Sequence, residues 1–311
     1  MFFVKTTARF LTAVVGTGMV LTLFSFGLWP LETASLWIPW YLLLAVLGMC
    51  GCVVAGSGRW AGVAALCAAA ALAMMLPQYL PRARAGESTG TASLRVLQVN
   101  VYAPGNDPAY LLALVREARP DVVLLQEVDE KWKAFLKPLE DLYPHHRYSP
   151  RYTGGGPDLA QFWSAKTVSE RDLHEEELPA TELTLNIQGH NVRVLNAHTA
   201  APFKKGRADR YRHQMDLLAR YAAACEMPLV LAGDLNAGPW SRHYTALLET
   251  GGLVSARRGF GGLGSWPSFL GPLRIALDHL LVSSELHVRD CRLGPGIGSD
   301  HRPMITEVAV E

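Results

Sequence analysis

Hydrophobic and polar positions divide the chain into two regimes. In the first, Phe10–Pro30, Thr33–Gly58 and Trp60–Pro81 contain no Asp, Glu, Lys or Arg, and only Leu31-Glu32 and Arg59 separate them. A helix needs about 20 apolar residues to cross a hydrocarbon core. The pattern therefore predicts three transmembrane helices over about residues 10–30, 35–56 and 60–80, joined by short turns into an antiparallel bundle. Trp29, Trp37, Trp40, Tyr41, Trp60 and Tyr79 fall toward the ends of these stretches, where amphipathic rings favour the headgroup layer. A cleaved signal peptide would explain the first stretch alone, but not two more behind it.

From Leu94 the pattern changes to short apolar runs alternating with amphipathic windows. Strands are expected over Leu94–Val101, Val122–Gln126, Leu159–Ser164, Pro228–Ala232, Ala276–Val282 and Met304–Val310, with a hairpin of Leu183–Gln188 and Asn191–Ala197 turning at Gly189-His190. Helices are expected over Pro108–Ala118 and Arg207–Ala224, and a loop at Gly154–Pro157. Strands mixed with helices and hairpins imply an α/β fold of two packed sheets flanked by helices. The expected organisation is a transmembrane region at 1–81, a flexible linker at 82–93 and a catalytic domain at 94–311.

Composition sharpens this division. Half of the 311 residues are hydrophobic, which is high for a water-soluble enzyme. The net charge of +1 conceals an asymmetry, because residues 85–311 carry 24 basic against 27 acidic residues, a net −3. A domain that grips long nucleic acid usually has the opposite bias. Lys5, Arg9 and Arg59 fall on one side of a three-helix topology, and Glu32, Arg82 and Arg84 on the other. The positive-inside bias then puts the N-terminus in the cytoplasm and the catalytic domain outside it, in a multi-pass protein of the cell membrane. The five cysteines form no disulfide framework or zinc spacing, and spacing alone does not pair Cys225 with Cys291.

Polar residues recur just behind the apolar strands, where side chains can converge on a shared cleft: Asn100, Gln126-Glu127, Asn196, His198, Asp234, Asn236, Asp278 and Asp300-His301. Any one could be a turn residue; their joint recurrence at strand ends points to a site. The segments LQVNV, LLQEV, LNAHT, AGDLNAGP, LDHLLVS and GSDHRP run in that order from Leu94 to the C-terminus. In them the chain resembles the endonuclease/exonuclease/phosphatase superfamily, whose members include DNase I-like nucleases, inositol-polyphosphate phosphatases and sphingomyelinases. The resemblance implies a four-layered α/β sandwich and a metal-dependent hydrolase of phosphoric esters.

Carried onto this chain, the resemblance makes Glu127 the principal metal ligand, with Asn100 beside it and Asp300 completing the shell. Such oxygen ligands suit a hard cation, Mg²⁺ or Mn²⁺. It implies that Asp234 orients or deprotonates water, and that Asn236 donates its amide to a phosphoryl oxygen. His301 contacts the phosphoryl group or acts as acid/base, held in one tautomer by Asp278, and His198 stabilises the transition state or protonates the leaving oxygen. Tyr102 stands where many relatives carry an acidic or amide group, and Ala237–Asp278 is short where nucleases often have DNA-facing insertions. Trp266 and Phe269 in that segment either pack or line a pocket, the basic run Pro202–Arg212 is either a solvated helix face or an anion-binding rim, and His145-His146 reads as surface.

The expected partners are a phosphate-containing, lipid-linked substrate and the membrane lipids, with nucleic acid disfavoured and no protein partner predicted. A membrane-anchored nuclease and a non-catalytic envelope binding protein are the competing readings; retention of every acidic and imidazole position argues against the last.

Overall fold

In the computed structural model, residues 1–24, 31–80, 92–102, 107–149, 159–174, 177–203 and 205–310 are described. Most of the expected linker, the Gly154–Pro157 loop, Trp29 and Lys204 lie outside them.

The N-terminal region folds into α1 (Phe2–Phe24), α2 (Ile38–Val54) and α3 (Gly58–Met75), with a 3-10 turn over Leu31–Trp37 leading into α2. Three helices, Phe2–Phe24, Thr33–Val54 and Gly58–Gln78, are long and apolar enough to cross a membrane by length and composition. The first starts eight residues before the uncharged stretch does, so that Lys5 and Arg9 form its opening turns. Small residues let the helices approach: a Cβ on Gly48 of α2 would lie 2.9 Å from Thr12 Oγ1 of α1, and one on Gly51 2.9 Å from Ala8 Cβ. Outward-facing side chains such as Val54 and Leu66 stay exposed.

The remainder is an α/β sandwich of two six-stranded sheets. Its strands are β1 (Ser93–Asn100), β2 (Val122–Gln126), β3 (His145–Tyr148), β4 (Ala160–Trp163), β5 (Lys166–Asp172), β6 (Ala180–Ile187), β7 (His190–His198), β8 (Leu229–Asp234), β9 (Leu253–Ser255), β10 (Asp278–Ser283), β11 (His287–Leu293) and β12 (Met304–Ala309). One sheet has the order β11-β12-β1-β2-β4-β3, the other β5-β6-β7-β8-β10-β9. The pairs β1/β2 and β7/β8 are parallel; the other pairs are antiparallel.

The expected two-sheet, four-layer architecture is what forms, and side-chain alternation explains it. Val96, Leu124, Val194, Val230, Leu280 and Val308 point into the space between the sheets. Their neighbours Leu97, Val99, Val123 and Leu125 face α4 (Pro108–Ala118), α5 (Glu130–Phe135) and α6 (Lys137–Glu140) on one outer surface. Leu195, Leu229 and Leu231 face α7 (Lys205–Ala223) and α8 (Arg242–Gly251) on the other. Strands buried on both faces read as unbroken apolar runs, which is why β2 and β8 stand out in the sequence. Helix α7 lays Tyr211, Met215, Leu218, Ala219 and Ala222 on its sheet with helical spacing.

All five cysteines are free thiols, so Cys225 and Cys291 do not pair. His145 and His146 are exposed on β3, stacked on Trp163 and Phe162.

Two stability predictions follow from this packing. Gly233 of β8 has φ +145°, and a Cβ there would fall on the Ala197 carbonyl oxygen of neighbouring β7. Gly233→Ala should prevent recovery of folded full-length protein, read as loss of a monodisperse peak in detergent. His279 is fully buried against Tyr244, its Nε2–H donating to Ala237 O at 2.7 Å, and burial with the nearby Arg257 charge pushes its pKa down to about 3. The unfolded state, with an ordinary imidazole, binds the proton first. Stability from this group is therefore complete above about pH 6.5 and falls as pH drops toward 3, by at most about 1.4 kcal/mol per unit. His279→Gln should flatten that part of the acid-unfolding curve relative to wild type; parallel curves would contradict the assignment.

Candidate active site

Strand register assembles the site. Because β7 and β8 are parallel and β10 pairs with β8, His198, Asp234 and Asp278 stand in one row across the sheet. In the facing sheet the parallel pair β1/β2 brings Asn100 level with Gln126, so that Glu127 leaves the strand beside Asn100. Glu127 takes φ +62°, an unusual conformation for a non-glycine residue. The sheets are tied just below the site: Gln126 Nε2 donates to Asn196 Oδ1 at 2.6 Å, and Asn196 Nδ2 donates to the Leu125 and Ala160 carbonyls at 3.1 and 3.2 Å. Asn196, picked out in the sequence with the strand-end polar residues, is thus a buried brace between the layers.

The expected residues converge. Asn100 Nδ2 donates to Glu127 Oε1 at 2.9 Å and to Asp234 Oδ2 at 3.0 Å, while its oxygen accepts from the Tyr102 N–H at 3.0 Å. In this arrangement Asn100 braces two carboxylates from the two sheets. His198 Nε2 lies 3.7 Å from Glu127 Oε1 and 3.8 Å from Asp234 Oδ2. His301 Nδ1 donates to Asp278 Oδ2 at 2.7 Å, leaving Nε2 3.7 Å from Asp234 Oδ2. Asn236 N donates to Asp234 Oδ1 at 2.9 Å, and its Nδ2 donates to the Thr199 carbonyl at 2.9 Å. An amide nitrogen carries two hydrogens, so one remains for the cleft that Asn236 lines.

Two groups of potential metal-binding side chains result, Glu127 with His198 and Asp234, and Asp234 with Asp278 and His301, each with ligand atoms within 4.8 Å of one another. Asp300 belongs to neither group of three. Its Oδ2 accepts from Trp266 Nε1 at 3.0 Å, and its buried Oδ1 has no hydrogen-bond partner among the described residues. An unpartnered carboxylate oxygen in a cleft that Glu127 also lines is a donor set of the kind that suits a hard divalent cation.

Charge in the row is strongly coupled. Burial raises the Asp234 carboxyl above its ordinary range, Asp278 adds to this, and His301 and His198 oppose it. Burial would also raise Asp278, but His301 outweighs it and holds the carboxyl low. For His301, burial alone would lower the pKa; Asp278 and Asp234 prevail and push it up to about 10.

Glu127, His198, Asp234, Asn236, Asp300 and His301 open onto a cleft of about 450 Å³ lined also by Thr199, Phe203, Arg207, Arg210, Trp266 and Leu277, with Asn100 and Asp278 behind them. The basic run divides: Arg207 and Arg210 line the cleft, whereas Arg212 pairs with Asp209 at 2.6 Å. Sequence reasoning left Trp266 open and did not single out Ser265 or Ser299. The single Ser299 hydroxyl hydrogen is shared between the Asn100 and Tyr102 carbonyls at 2.7 and 3.0 Å, and Oγ accepts from His301 N at 3.0 Å, tying the β1 end to the His301 loop. Its position in the GSDHRP segment was the only available signal.

Comparison with known proteins identifies the fold and the family. Residues 97–301 match the Endonuclease/Exonuclease/phosphatase family. The fold is similar to an endonuclease/exonuclease/phosphatase from Bacteroides vulgatus, at 16% identity and TM-score 0.57 over 70% of this chain and 99% of that one. It is similar to another from Beutenbergia cavernae, at 18% identity and TM-score 0.54 over 70% and 72% of the two chains. An AP endonuclease from Archaeoglobus fulgidus is similar at 17% identity and TM-score 0.54, over 68% and 98%. No curated protein matches the chain. With two thirds of its length inside the family's pattern and the fold to go with it, the chain belongs to the endonuclease/exonuclease/phosphatase family.

Proposed function

We propose that the protein is a membrane-anchored, divalent-metal-dependent phosphoesterase that hydrolyses a phosphate ester or anhydride of a lipid-linked substrate. One observation carries the lipid assignment: the cleft wall rests on the apolar helix bundle. Leu36, which precedes α2, forms a buried cluster with Ile275 and the cleft-lining Leu277, with Trp40 and the cleft-lining Trp266 packed on it. A cleft seated on the end of a membrane bundle meets headgroups at high effective concentration. Arg207 and Arg210 on its rim suit an anionic headgroup, and the net −3 of residues 85–311 disfavours long nucleic acid.

The same packing supports one orientation. Lys5, Arg9 and Arg59 lie at the end of the bundle remote from the sandwich, since Met74 and Leu36 lie at the near end. The positive-inside bias then favours an extracytoplasmic catalytic domain of a multi-pass protein.

Within the site, Glu127 and Asp300 would hold Mg²⁺ or Mn²⁺, with Asn100 beside them. The cation would neutralise charge on the phosphoryl oxygens and polarise the phosphorus. Asp234, a buried carboxylate with a raised pKa, would orient the attacking water and take its proton. The Asp278–His301 pair presents Nε2 to the phosphoryl group, Asn236 offers its second amide hydrogen, and His198 stands where it would stabilise or protonate the leaving oxygen.

Full-length protein in detergent should release phosphate or headgroup from lipid phosphates or phospholipids with Mg²⁺ or Mn²⁺, and not with EDTA. Asp234→Ala should lower turnover by about 10²- to 10⁴-fold without altering the fold. Nicking of plasmid DNA with lipids untouched would replace this reading with the nuclease, and silence on every substrate would favour the binding protein. Asp278→Asn should lower kcat by at least about tenfold with KM little changed, because His301 loses the partner that orients it; unchanged kcat would remove Asp278 from the mechanism.

A further inference from the structure

Three loops that carry site residues rest on the near end of the helix bundle. The Asn236 loop does so through Gly238, where an added Cβ would lie 3.1 Å from Leu36 Cδ2, and through Trp240, whose Nε1 donates to Met74 O at 2.8 Å. The segment before Asp278 does so through Ile275 and Leu277 against Leu36. Farther along, Gln78 O accepts from Gly259 N and Gly261 N at 3.0 and 2.9 Å, and buried Arg257 ties that loop to the Asp278 carbonyl.

The third connection reaches Asp300. Trp266 packs on the Leu36 cluster together with Trp40, and its backbone pairs with Ile275 in both directions, at 3.0 and 2.6 Å. Its Nε1–H holds Asp300 Oδ2 at 3.0 Å, which leaves Oδ1 as the unpartnered oxygen. Ser268, two residues further on, strengthens the grip: its N–H donates to Asp300 O at 2.7 Å and its Oγ to Ser299 O at 2.8 Å. The apolar cluster that contains Leu36 thus lies one packing contact and one hydrogen bond away from a carboxylate of the site.

We propose that the helix bundle is part of the catalytic apparatus, with Leu36 clamping Trp266 and Trp266 acting as a positioning residue that fixes the carboxylate of Asp300 for the metal. The metal role of Asp300 rests on the function proposed above; the clamp itself does not. Trp266→Phe keeps the ring on its apolar seat but removes the N–H. Leu36→Ala keeps the N–H but loosens the seat. Partners of this kind orient ligands without touching the cation, and their loss typically weakens metal binding by about 10- to 100-fold.

The test uses full-length protein in lipid nanodiscs, with Leu47→Ala, an exposed bundle position, as control. Hydrogen exchange is followed without metal, and Mn²⁺ affinity by titration. Both Leu36→Ala and Trp266→Phe should speed exchange across residues 299–302 while leaving the β6–β7 hairpin unchanged, and should weaken Mn²⁺ binding about tenfold. Leu47→Ala should match wild type in both. Wild-type exchange in the two variants would overturn the clamp, and faster exchange with unaltered Mn²⁺ affinity would overturn the positioning role. If wild type itself binds no Mn²⁺, the metal reading above fails, while the exchange comparison still decides the clamp.

Discussion

The placement of β8 between a parallel neighbour, β7, and an antiparallel one, β10, is the constraint on which the site depends. That pairing puts His198, Asp234 and Asp278 in one row, and a slip of one residue would exchange the side chains of the two packed faces, each shaped to a different partner layer. Gly233 is required one step earlier, where the β7 backbone leaves no space for a side chain. The opposite sheet contributes Asn100 and Glu127 through an equivalent parallel pair, and the Gln126–Asn196 bond holds the two rows at a fixed separation.

Two fully buried carboxylates in such a row would ordinarily be costly, since burial disfavours the charged form. His301 answers both, bonded to Asp278 and 3.7 Å from Asp234. Asn100 adds neutral donors to Asp234 and Glu127, which lowers repulsion without adding another cation. The result is a group of opposed charges held in place before any substrate arrives, which is the arrangement that electrostatic catalysis requires. One oxygen of Asp300 is oriented by Trp266, and the other has no hydrogen-bond partner among the described residues.

The helix bundle does more than lie beside the sandwich. Its near end meets the loops that bear Asn236, Asp278 and Asp300, through Leu36, Trp40 and the carbonyls of Met74 and Gln78. Loops are the mobile part of most sites; here each has a rigid apolar seat.

What the sequence determined by itself is the interior. All eight inner strands, the α/β class, the three apolar helices and the polar residues that meet at the cleft were legible, because burial on two faces writes continuous hydrophobic runs and the polar residues stand at their ends. The four strands it did not disclose, β3, β5, β9 and β11, are the four sheet edges. Edge strands are short or polar, as in HHRY and KTVSERD, and are held by backbone pairing that has no signature in side-chain periodicity. Tertiary structure alone decided that Asn100 spans two carboxylates 27 and 134 residues away, and that Leu36 seats the tryptophan that holds Asp300. Both are contacts between segments remote in the chain, and the residues that make them look locally like any other strand end or apolar turn.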